Sequence, residues 1–176
     1  ITKPKNLTPI LKMPDKKSLV INTGPIIALI AATGSLSLLE KLYKQVFITL
    51  EVKDEICYKG NNFFGIREFH EATFLTQNEK PVQLTPILKH SLDIGEASVI
   101  QYALDNNISN VCIDEAMGRR IARLNELKVT GSLGILLKAK NNGIEISIKK
   151  AINNMQQRGI FLSDELIEKA IKLANE

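Results

Sequence analysis

The chain has no tryptophan, only two histidines and only two cysteines in 176 residues. His70 and His90 share no ligand spacing with each other or with the cysteines, so neither is offered as a metal ligand or a base, and a Ser-His-Asp or Cys-His relay is disfavoured. Cys57 and Cys112 stand in apolar contexts without CxxC spacing and read as reduced core thiols of a cytosolic protein. No apolar run approaches the ~18 residues of a membrane span, and no charged-then-apolar leader opens the sequence. The expectation is a soluble, cytoplasmic protein with no membrane partner. A Gly-rich phosphate loop after the first strand-like run is also missing, which counts against a small-molecule domain of flavodoxin or receiver type. Internal repeats and low-complexity tracts are absent as well.

What is present is 44% hydrophobic residues, enough for one domain with a sizeable core. The 23 Lys plus Arg against 19 Asp plus Glu leave a net charge of +4, which favours an anionic partner, nucleic acid first among them. Residues 1–17, rich in proline and lysine and without periodicity, read as an extended arm, and 18–176 as a single domain. From Ser18 onward short β-type runs alternate with helical ones. Strands are expected near 18–22, 46–49, 111–114 and 128–130, each followed by a helix, which predicts a parallel sheet with right-handed crossovers. Between 59 and 86 the pattern weakens; it suggests one short helix, loops and a further short strand at 82–84. Amphipathic helices follow around Ile148 to Met155 and after a Ser163 cap.

Carboxylates sit where this reading places a ligand crevice. Asp114 closes the apolar run Val111-Cys112-Ile113 and is followed by Glu115. Asn22 closes Leu19-Val20-Ile21. Strand ends of this kind open on the crevice of an open α/β sheet. Glu96 falls on the apolar stripe of a helix over 95–105, with Val99, Ile100, Ala103 and Leu104, and Glu55 falls between Val52 and Ile56 on the helix after the second strand. Acids at such positions need compensation by metal or positive charge. Oxygen ligands suit a hard divalent cation, Mg²⁺ or Mn²⁺, which can activate water against a phosphodiester. Asn22, Glu96 and Asp114 are the expected ligands, with Glu115 and Glu55 close by. Arg119, Arg120 and Arg123 follow Asp114 on the next helix and are candidates to guide phosphates, although a solvated helix face would read the same way.

Four segments carry a family resemblance: Val-Ile-Asn-Thr-Gly-Pro-Ile-Ile-Ala-Leu (20–29), Val-Phe-Ile-Thr-Leu-Glu-Val-Lys-Asp-Glu-Ile (46–56), Leu-Asp-Ile-Gly-Glu-Ala (92–97) and Ile-Asp-Glu-Ala-Met-Gly-Arg-Arg-Ile-Ala (113–122). They resemble PIN-domain proteins, and with 129–140 and 159–166 the sequence is similar to the DUF3368 branch. The resemblance implies a three-layer α/β/α sandwich around a parallel sheet and a metal-dependent endoribonuclease acting on single-stranded RNA, like VapC-type toxins with a small antitoxin and frequent homodimers. By motif position Asn22 takes the place of the family's first Asp, Glu55 of its Glu, Glu96 of the acid opening the later helix, and Asp114 of the acid closing the fourth strand. An amide at 22 offers the cation a neutral oxygen. The alternative it supports is a degenerate module that binds RNA or protein without efficient cleavage.

Overall fold

The computed structural model describes residues 16–58, 60 and 63–176, so the arm expected at 1–17 lies, up to residue 15, outside the described residues. Five three-residue strands form one parallel sheet in the order β3-β2-β1-β4-β5: β1 (Leu19–Ile21), β2 (Val46–Ile48), β3 (Leu75–Gln77), β4 (Asn110–Cys112) and β5 (Lys128–Thr130). Every residue of β1 is buried, as its uninterrupted apolar run requires of a central strand covered on both faces. Four of the five strands stand at the expected places. The fifth is at 75–77 and not at 82–84. There Val82 N–H donates to Glu51 Oε1 at 2.7 Å and Thr85 N–H to Gln101 Oε1 at 3.2 Å. Helix side chains thus take the hydrogen bonds that a neighbouring strand would otherwise supply.

The helices are α1 (Thr23–Thr33), α2 (Ser37–Leu42), α3 (Leu50–Tyr58), α4 (Ile66–Glu71), α5 (Pro86–Ser91), α6 (Ile94–Asp105), α7 (Ala116–Leu124), α8 (Ser132–Asn141), α9 (Ile148–Gln157) and α10 (Asp164–Leu173). Two groups of helices make the outer layers of an α/β/α sandwich. One gathers α3, α5 and α7 about α6, which packs on β1 and β4; the other gathers α2, α9 and α10 about α1 and α8. Unlike an amphipathic surface helix, α6 is buried at every residue from Gly95 to Gln101, whereas Leu104, expected in the core, is 36% exposed. Glu96 is therefore inside because the whole stretch of α6 from Gly95 to Gln101 is inside. Cys112 is fully buried and Cys57 partly so, both as free thiols.

The order places the reversal of chain winding between β1 and β4, which pair in the register Ile21↔Cys112. Crevices in open α/β sheets form outside the carboxyl ends of the strands at such a reversal. Asn22 and Asp114 leave the sheet there, and Asn22 N–H donates to Cys112 O at 3.0 Å.

Candidate active site

A cleft of about 730 Å³ opens over the carboxyl ends of β1, β4 and β5, and its walls include Asn22, Glu55, Asp93, Asp114, Glu115 and Arg119. Asn22 is 3% exposed. As the residue before α1 it would ordinarily turn its side chain on the helix amides, but it makes no such bond, and its Oδ1 is buried without a hydrogen-bond partner. Glu96 is 5% exposed, and its Oε1 is likewise buried and unpartnered. Leaving a buried oxygen unpaired costs about 1–3 kcal/mol; Glu51 Oε2 is a third such atom, and of the three residues Asn22 is the one that lines the cleft.

The other acids converge on the same place. Glu55 belongs to an exposed stretch of α3, yet its Oε2 accepts a 2.7 Å bond from Thr23 Oγ1, which draws the carboxylate across to the start of α1. Asp93 caps α6 by accepting from Glu96 N–H at 2.8 Å. Asp114 accepts from Ser132 N–H at 2.7 Å, and the Arg119 guanidinium is tied to Ile113 O at 2.8 Å. Asp114 is open to the cleft and at the same time walled by protein on its other sides.

Electrostatics follow from that crowding. Burial pushes the Glu96 carboxyl up to about 7, and the charges of Asp93, Glu115 and Glu55 add to the shift while a backbone contact with Asp93 acts against it. Burial also raises Asp114, opposed by its bond to Ser132 and by the Arg119 charge. Like charges held together in a partly dry site resist ionisation, and a cation would reverse the balance.

Four glycines make the crowding possible. A Cβ on Gly24 would stand 2.9 Å from Glu115 Oε1, on Gly95 3.0 Å from Glu55 Oε2 and 3.2 Å from Asn22 Oδ1, and on Gly131 2.6 Å from Asp114 Oδ1. At Gly118 it would overlap Glu96 Oε1. Each acid of the site is seated where a neighbouring side chain has been omitted.

Among the described residues no group of three or more His, Cys, Asp or Glu side chains is placed to hold a metal ion by itself. The donor set is open and mixed, an amide oxygen with separate carboxylates, which fits Mg²⁺ or Mn²⁺ retaining several waters better than a fully ligated structural metal. Arg120 and Arg123 are exposed on α7 and do not line the cleft; of the three arginines only Arg119 does. His70 and His90 are both exposed and outside it. Asp93 and Thr23 were not among the expected site residues, and Thr130-Gly131-Ser132, readable as a helix start, supplies the amide that holds Asp114. Asp93 had a readable signal in its Asp-x-x-Glu spacing to Glu96, the pattern of a helix N-terminus.

The sequence profile of the DUF3368 family, described as a PIN domain, matches residues 18–176. No curated protein and no solved structure matches the chain. The chain belongs to the DUF3368 family of PIN domains, a nuclease-type fold.

Proposed function

We propose that the protein is a divalent-cation-dependent endoribonuclease that hydrolyses phosphodiester bonds of single-stranded RNA, of the kind paired with a small antitoxin and able to form a homodimer. The observation that carries this reading is the buried, unpartnered Oδ1 of Asn22 on a cleft wall shared with Glu55, Asp93, Asp114 and Glu115 at the chain reversal of a PIN sheet. Asn22, Glu96, Asp114 and Glu115 would hold the ion. Bound there, Mg²⁺ or Mn²⁺ would supply an activated water and neutralise charge at the phosphodiester.

The remaining work falls to the chain's own groups. Arg119, fixed on Ile113 O, offers a guanidinium to a phosphate oxygen beside Asp114. Helix α1 begins at the cleft without a side-chain cap bond and without an acid in its first turn, so its amides favour an anion there. Ser132 N–H holds Asp114 in place, and Thr23 holds Glu55. Glu55, held by Thr23 on the cleft wall, would take or return a proton as the bond breaks.

The amide at position 22 favours a second reading, in which the domain binds RNA or a partner protein and cleaves poorly. Labelled single-stranded RNA incubated with Mn²⁺, with Mg²⁺ and with EDTA separates the two. Cleavage that needs the cation and falls at least about tenfold in Asp114→Asn supports the nuclease. RNA that binds yet stays whole under all three conditions supports the binding module.

A further inference from the structure

The cleft has a second wall that the chemistry above leaves unused. Phe161 is 89% exposed and Leu166 43% exposed, and with Ile27 and Leu133 they face the same space as Asn22, Asp114 and Arg119. Phe161 is not on a loose loop. Ile160 and Leu162 on either side pack against the core, Ile160 N–H donates to Met155 O at 3.1 Å, and Ser163 accepts from Leu166 N–H at 3.3 Å to cap α10. The chain is pinned before and after the ring, which is held at the rim with its face in water.

A phosphate-handling floor beside an exposed aromatic ring on a held backbone matches the two halves of a nucleotide. We propose that Phe161, backed by Leu166, is a stacking platform for one unpaired nucleobase next to the phosphate handled at the acidic floor; the proposal rests on the ribonuclease reading. Bases in a duplex are already stacked on one another, so only a single strand can give a base to the ring. A protein occupant fits less well. Its apolar face would strip water from the Asp114 and Glu115 carboxylates in the same cleft without supplying charge to replace it, whereas a base covers the ring alone and leaves its polar edge in water. Stacking is sequence-tolerant, so the ring selects for strandedness more than for base identity.

The absence of tryptophan from the chain provides the test. Phe161→Trp gives an emission that reports on the rim alone, and the exposed position leaves the melting temperature unchanged. A titration with single-stranded RNA is expected to quench that emission to saturation. A chain of the same length made of abasic nucleotides, and a duplex, are expected to leave it as it was. In the unlabelled protein Phe161→Ala is expected to raise KM for RNA cleavage about tenfold with kcat within about twofold. Cleavage by the wild type together with no quenching, or with equal quenching by abasic chain, overturns the subsite and leaves the nuclease standing. Quenching by single-stranded RNA without any cleavage keeps the subsite and removes the nuclease. Emission that ignores RNA and changes only when a protein binds overturns the proposal in favour of a protein contact.

Discussion

Gly118 shows how closely single residues are fitted to this site. Alanine inside a helix is ordinarily better than glycine by about 1 kcal/mol, and α7 spans Gly118, yet a Cβ there would overlap Glu96 Oε1 and stand 3.0 Å from Ile113 Cγ2. Gly118→Ala is therefore expected to lower the melting temperature and weaken Mn²⁺ binding, and in a Glu96→Ala background the same change should raise the melting temperature. Equal destabilisation in both backgrounds would assign the clash to Ile113 instead. Asn22→Asp adds a charged ligand where Oδ1 is unpartnered and should tighten Mn²⁺ binding by about tenfold or more. Unchanged affinity in a titration would place residue 22 outside the ion's reach. Asn22 and Asp114 were legible in the sequence because a buried strand run ends at each, and the end of such a strand has a known place in the fold. The four glycines were not, because which oxygen a missing Cβ makes room for is decided by residues distant in the chain.

Helix α7 divides its arginines. Arg119 reaches the cleft and is tied to Ile113 O, while Arg120 and Arg123 face solvent. Arg119→Ala should weaken RNA binding more than Arg120→Ala or Arg123→Ala, and each lost phosphate contact should reduce the slope of log K against log salt by roughly 1. Three equal effects, measured by binding at several salt concentrations, would make the helix a diffuse basic face. Four strands and the long helices were readable from apolar runs and spacing. The edge strand β3 was not, since Leu75-Thr76-Gln77 is short and among the described residues pairs only with β2, and its place depends on a partner that periodicity cannot reveal. The start of α9 is another long-range matter. Glu176 accepts from Ile148 N–H at 2.8 Å and Lys149 N–H at 2.9 Å, a cap supplied from beyond the next helix.

For the molecule as a whole, the acidic crevice makes stability depend on pH and cation together. Glu96 has an ordinary value of 4.5 and is raised to about 7 in the fold, so between those values the folded state holds more protons than the unfolded one. Its favourable contribution is complete below about pH 4.5 and is lost as pH rises through about 7. Without divalent cation the melting temperature should decline across that interval, less steeply in Glu96→Gln, and Mn²⁺ should restore it most above pH 7, where the carboxylate is ionised. A profile identical in wild type and Glu96→Gln would remove Glu96 as the cause.

Calorimetric titration of Mn²⁺ into the wild type and into Glu96→Gln, slightly above neutral pH, decides whether the unpartnered oxygens of Asn22 and Glu96 hold the proposed cation. Saturable binding in the wild type, weakened at least about tenfold in Glu96→Gln, is the predicted result. No saturable heat in either protein, or equal affinity in both, would contradict it.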